Sequence, residues 1–195
     1  MSKENVVSVL ELKDNIKHLE KENELLKKEI SKLKSYKTQA EYDGLTNLYN
    51  KTTFISKVSK LDDNDNVIIM IDIDDFKKIN DTLGHNYGDK ILIMVGNILK
   101  DFFRHSDIIS RFGGDEFLVL LKDININDSE KLLNNLKEKI NMHFINEDIG
   151  NLSISIGACN YDLNLSYEDN LEKVDEALYK SKNNGKNQIT IEKTR

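Results

Sequence analysis

Apolar side chains in the first forty residues follow a strict 4-3 spacing: Val9, Leu12, Ile16, Leu19, then Leu26, Ile30 and Leu33. This is a heptad repeat. Val9, Ile16, Asn23, Ile30 and Lys37 fall at position a, and Leu12, Leu19, Leu26, Leu33 and Ala40 at position d. β-Branched residues at a with leucine at d favour a parallel two-stranded coil, and a single buried asparagine, here Asn23, fixes register and strand number. The flanking charges agree, since Glu22 can meet Lys27 of a second copy and Glu29 can meet Lys34. The alternative is one amphipathic helix packed on its own domain, which usually shows a wider apolar stripe. A coil of about 30 residues would be about 45 Å long.

The pattern changes near Tyr42. Helical spacing predicts helices over 50–60, 88–103, 128–144 and 167–184, and β-rich runs predict strands at 67–73, 107–112, 116–121, 152–158 and 187–192. Ser166 followed by Asp169 resembles a capping box, and Gly185 sits where a helix C-cap would. From residue 67 to 158 the order is β-α-β-β-α-β, a split βαβ arrangement. The fold class expected is therefore α+β, a βαββαβ palm-like antiparallel sheet with surrounding helices. A coiled-coil helix over 1–40 precedes this domain of 41–195. In that topology the first strand runs antiparallel to the third, so the end of 67–73 lies beside the start of 116–121.

Candidate chemistry gathers at that junction. The run Arg111-Phe-Gly-Gly-Asp-Glu-Phe117 places two glycines between two strands, a hairpin signal because both central residues can take positive φ. Asp115 and Glu116 follow at once. The first strand ends Ile71-Asp72-Ile73-Asp74-Asp75, and alternation puts Asp72 and Asp74 on one face. Carboxylates gathered on adjacent strand ends repel one another unless a cation neutralises them, and oxygen-only ligation suits Mg²⁺ or Mn²⁺. Two such ions about 4 Å apart would serve phosphoryl chemistry. Taken alone, the acidic turn 72–75 reads more readily as water-exposed; with the glycine turn beside it, the balance shifts to a metal site.

Composition narrows the class. Among 195 residues, 28 Lys and Arg against 34 Asp and Glu give a net charge of −6, which argues against a nucleic-acid partner. Cys159 is the one cysteine, so no internal disulfide forms and a reducing cytoplasm is the default. The longest apolar runs, such as Val67–Ile71, are far too short to span a membrane, and the charged N-terminus lacks a signal core.

Residues from about 41 to 192 resemble the GGDEF domain of diguanylate cyclases. The resemblance rests on separated motifs in order: Asp43-Gly-Leu-Thr-Asn-Leu-Tyr-Asn50; Asp72-Ile-Asp-Asp-Phe-Lys-Lys-Ile-Asn-Asp81 with Gly84-His85 and Gly88-Asp89; Arg111–Phe117 without alteration; Ser155-Ile-Gly157; and Ala177-Leu-Tyr179 with Lys182 and Gly185. It implies condensation of two GTP into cyclic di-GMP with release of two pyrophosphates, and two Mg²⁺ or Mn²⁺ per active site. By position it implies Asp72, Asp115 and the Ile73 carbonyl as metal ligands. Glu116 would assist the metals or deprotonate the attacking 3′-hydroxyl. Gly113 and Gly114 would lie close to the phosphates, with Phe76 in the nucleotide segment and Lys77, Lys182 and Lys186 toward the phosphates. Asn80 and Asp89 would read guanine, whose N1–H and N2–H₂ suit a carboxylate acceptor that adenine could not satisfy. A product-binding inhibitory site would use Arg104 and Asp107.

Each assignment has a plainer counterpart. Asn80 and Asp89 read as helix caps, Lys182 and Lys186 as ordinary C-terminal helix charges, and Arg104 with Asp107 as a surface ion pair. The sequence also departs from the family pattern. Lys51 and Lys186 stand where arginine is common, keeping charge but losing the bidentate fork, and Asn47 stands where glycine is common. One domain would hold one GTP, so the resemblance implies a site shared by two subunits, with the coil raising the effective concentration of the second half. The rival readings are a non-catalytic receptor for cyclic di-GMP and an assembly module that only binds GTP.

Overall fold

The computed structural model describes residues 3–62, 65–145 and 152–192, with side chains from residue 12 onward. The chain divides into two compact units, Met1–Ala40 and Glu41–Arg195. The first is helical: α1 runs Lys3–Glu41 as one uninterrupted 39-residue helix, about 58 Å at the usual rise. Its heptad leucines and isoleucines are open in the single chain: Leu12, Ile16, Leu19, Leu26, Ile30 and Leu33 are all more than half exposed. The side chain of Val9 lies outside the described residues.

The second unit is a six-stranded sheet in the order β1-β3-β4-β2-β5-β6. Its elements are β1 (Tyr49–Asn50), α2 (Lys51–Val58), β2 (Val67–Ile73), α3 (Phe76–Leu83), α4 (His85–Phe102), β3 (Ile108–Arg111), β4 (Glu116–Leu121), α5 (Ile126–Phe144), β5 (Ile154–Asn160), α6 (Tyr167–Asn183) and β6 (Ile189–Glu192). Strand β2 is central and pairs antiparallel with both β4 and β5, as the split βαβ order predicts. All seven of its residues are buried, which explains a nearly continuous apolar run where a half-exposed strand would alternate.

Alternation along β2 builds two cores. Val67, Ile69, Ile71 and Ile73 join Ile91, Val95 and Leu99 of α4 and Leu133, Leu136 and Ile140 of α5. Ile68 and Met70 join Phe54 and Val58 of α2 and Val174 and Leu178 of α6. Asp72 shares the parity of Ile68 and Met70, so it closes the face that α6 covers. The α6 helix begins with the expected capping box, in which Ser166 and Asp169 satisfy each other's backbone, and Gly185 follows its C-cap with φ +113°.

Three elements depart from the sequence reading. A short helix, α3, fills the interval after β2, and α4 starts at His85, three residues earlier than expected. The signal was present: Phe76, Ile79 and Leu83 recur at helical spacing and Gly84, with φ +85°, ends the run. The two-residue β1 is too short to carry any periodicity.

Candidate active site

The register places Asp72 of β2 directly opposite Glu116 of β4. Like charges facing each other across strands destabilise the pair unless a cation joins them. The structure supplies one: Lys182 in the last turn of α6 puts its Nζ 2.7 Å from Asp72 Oδ2. Burial pushes the Asp72 carboxyl up to about 6 in spite of Lys182, and the charges of Asp115 and Glu116 add to that rise. Two further carboxylates therefore bear on Asp72 at this strand end, with an ammonium standing where a metal cation would serve.

The glycine turn is built differently from the sequence reading. Neither Gly113 nor Gly114 takes a positive φ; among the described glycines only Gly84 and Gly185 do. A Cβ at Gly113 would fall 2.6 Å from Glu116 Oε2, the far end of a side chain that can turn aside, whereas Gly114 faces open space with nothing within 4 Å. The turn is shaped from outside. Arg111 donates from Nε and Nη2 to the Gly114 carbonyl at 3.2 and 2.7 Å, while its Nη1 reaches Asp43 Oδ1 at 3.3 Å. Asp43 also accepts from the Thr46 amide and hydroxyl. Burial opposes its ionisation, but Thr46 and the Arg111 guanidinium outweigh that and hold its carboxyl below the ordinary value. The Ile73 amide donates to the Asp115 carbonyl at 3.3 Å, tying the turn to the end of β2.

Asp74 does not join Asp72. Its carboxylate accepts from the Ser153 and Ser155 hydroxyls, each at 2.6 Å, and from the Asn187 amide at 3.0 Å. It anchors the turn after α6, where Lys186 and Asn187 both hold positive φ. Lys186 in turn reaches Asp75 at 2.7 Å. Among the described residues, no three carboxylate, imidazole or thiol side chains stand close enough to enclose a metal ion as they are. The donor set still fits a hard divalent cation, since Asp72, Asp115 and Glu116 offer oxygen only and the Lys182 ammonium stands in for it.

Asn80 lies inside α3 and Asp89 one turn into α4, so neither is a helix cap. Asn80 Oδ1 is buried and has no partner within the chain. It rests against bare backbone: a Cβ at Gly88 would lie 2.0 Å from it. Asp89 and Lys77 are exposed, and Phe76 opens α3 with its ring in the core. His85 begins α4 and is exposed.

A profile of the family described as "Diguanylate cyclase, GGDEF domain" matches residues 40–188. The chain belongs to the GGDEF domain family. It is 40% identical over 129 residues to diguanylate cyclase A of Treponema denticola, covering 65% of this chain and 35% of that protein. It is 40% identical over 128 residues to diguanylate cyclase DosC of Escherichia coli, covering 64% of this chain and 28% of that one. The chain thus spans about a third of the length of these relatives. Among solved structures, the coiled coil and GGDEF domain of DgcB from Caulobacter crescentus, in complex with c-di-GMP, superposes with a TM-score of 0.81 at 25% identity, covering 90% of this chain and 97% of that one.

The GGDEF domain here also carries a concave region lined by basic residues. A cleft of about 650 Å³ gathers Lys57, Lys60, Lys100, Arg104, His105 and Lys122. Asp107 does not pair with the Arg104 side chain as a simple surface ion pair would. Its carboxylate accepts from the backbone amides of Arg104 at 2.9 Å and Lys122 at 3.2 Å, leaving the Arg104 guanidinium exposed at the rim. The departures from the GGDEF pattern also have local accounts. Asn47 holds φ +55°, a conformation that asparagine tolerates better than most non-glycine residues. Lys51 sits 4.1 Å from the centroid of Phe112, beside the glycine turn. Among the described residues, no helix is long and apolar enough to cross a membrane.

Proposed function

We propose that this chain is a diguanylate cyclase: it condenses two GTP into cyclic di-GMP with release of two pyrophosphates, each of two chains holding one nucleotide. The observation that carries this reading is the unaltered signature turn set beside Asp72, together with a buried, unpartnered acceptor at Asn80 in α3. Asn80 and Asp89 read the guanine edge. The open space over Gly114 admits the phosphates, and Lys77, Lys182 and Lys186 meet them. Asp72, Asp115 and the Ile73 carbonyl hold two Mg²⁺ or Mn²⁺, which when bound neutralise the phosphates and polarise the reacting bond. Glu116 accepts the proton of the attacking 3′-hydroxyl or supports the metals.

The exposed heptad seam of α1 supports a homodimer through a parallel coiled coil, which brings two such turns face to face. The basic cleft at Arg104, in a chain of net charge −6, supports product inhibition: Arg104 grips the guanine and phosphate of cyclic di-GMP, and Asp107 orients that loop. The lone, buried Cys159 fits a reducing cytoplasm. Incubating the full chain with GTP and Mg²⁺ should yield cyclic di-GMP. Asp115→Ala and Glu116→Ala should lose turnover and remain folded. Tight cyclic di-GMP binding without turnover would replace this reading with a receptor, and GTP binding alone with an assembly module.

A further inference from the structure

We propose that Lys182 is the resident counter-ion of the metal site, excluding free divalent cations from Asp72 until a nucleotide triphosphate offers the ammonium a new partner. This inference rests on the reading of Asp72 as a metal ligand. It adds to Lys182 a role opposite in sign to phosphate binding.

The geometry leaves the ammonium little choice of place. Helix α6 lies in backbone contact with β5: a Cβ on Gly157 would fall 2.3 Å from the Leu178 amide nitrogen. The buried Ser181 hydroxyl, adjacent to Lys182, donates to the Ile156 carbonyl at 2.7 Å. Beyond the helix, the Asn187 amide is fixed on Asp74. The root of Lys182 is therefore held on both sides, and only its side chain can move. That side chain is about one-third exposed, whereas Asp72 beneath it is 9% exposed, so Lys182 covers the carboxylate from solvent. Its Nζ lies 2.7 Å from Asp72 Oδ2, on the face shared with Glu116.

A divalent ion arriving alone must displace this contact and take from the ammonium the carboxylate it touches. Arriving with a triphosphate, it leaves the ammonium facing phosphate oxygens, so the displacement is offset. Metal and nucleotide then bind cooperatively through Lys182, and removing the lysine should weaken that coupling while freeing the carboxylate.

Mn²⁺ binding to the full chain without nucleotide, followed by electron paramagnetic resonance, tests this without turnover. Lys182→Met should bind Mn²⁺ roughly tenfold more tightly than the wild type, a factor within the usual range for coupled sites. Lys180→Met, on the same helix but paired with Glu192, should match the wild type. Adding Asp72→Asn to Lys182→Met should abolish the gain. Unchanged, weaker or undetectable Mn²⁺ binding by Lys182→Met would overturn the proposal, as would a gain that survives Asp72→Asn. Failure of the cyclase reading would instead appear as absent cyclic di-GMP in a chain whose Mn²⁺ affinity still responds to Lys182.

Discussion

Replacing Gly157 by alanine should push α6 off the sheet and carry Lys182 away from Asp72. A Cβ at this position would meet the Leu178 amide nitrogen at 2.3 Å, the Val174 carbonyl oxygen at 2.5 Å and the Leu178 Cα at 2.8 Å. All three are backbone atoms, so no rotamer change relieves the contact. Ordinary carbon contacts lie near 3.5 Å, so the helix must withdraw by about 1 Å. Overpacking of this kind costs about 1–3 kcal/mol. The upper half of that range is expected, because the same shift stretches the Ser181 hydrogen bond to Ile156. A misplacement of about 1 Å can lower a rate about a hundredfold. Urea unfolding followed by circular dichroism gives the first quantity, and turnover at saturating GTP on the same preparation gives the second. A wild-type unfolding midpoint would refute the close-packing argument. Lost stability with undiminished turnover would refute the claim that the seat of α6 places Lys182.

Gly88→Ala should raise the KM for GTP at least tenfold with a smaller fall in kcat, because the new methyl would collide with Asn80 Oδ1; steady-state kinetics separate the two effects. Asp43 has a folded-state pKa below its unfolded value, so its contribution to stability is full above about pH 4 and is lost as pH falls through the folded pKa. Asp43→Asn should accordingly lower stability near neutrality and flatten the acid limb of the stability–pH profile, measured by urea titration. Burial pushes the Cys159 thiol up to about 12, so it should resist a thiol-specific chromogenic disulfide in the native protein and react on unfolding. Removing residues 1–40 should make specific activity depend steeply on protein concentration; constant specific activity on dilution would sink the tethering role of the coil.

Much of the sheet was legible because β2 and β4 carry strong apolar runs and the βαββαβ order constrains their pairing, so the meeting of Asp72 with the signature turn followed from topology. What escaped sequence reading was the use of individual polar groups. Asp74 shares the parity of Asp72, yet its carboxylate is engaged by two serine hydroxyls and an amide from segments about 80 and 110 residues away, which no local pattern announces. The two signature glycines suggested positive φ, whereas neither adopts it: Gly113 lies against the Glu116 side chain and Gly114 leaves open space. Arg111 stood in plain view, but its contact with Asp43 reaches back 68 residues. Helix α3 carries a short signal: its eight residues give barely two turns over which the Phe76, Ile79 and Leu83 spacing can repeat. The heptads, by contrast, repeat over the whole of α1, and a long period is the easiest of these patterns to read.

The central claim is that two Gly113–Gly114 turns, each with its own GTP, make one site. The most direct measurement is the ratio of pyrophosphate released to cyclic di-GMP formed by the full chain with GTP and Mg²⁺. Two pyrophosphates should appear for every cyclic di-GMP, and Glu116→Ala should yield no product of any kind. Cyclic di-GMP absent while GTP is bound or slowly hydrolysed would contradict that claim.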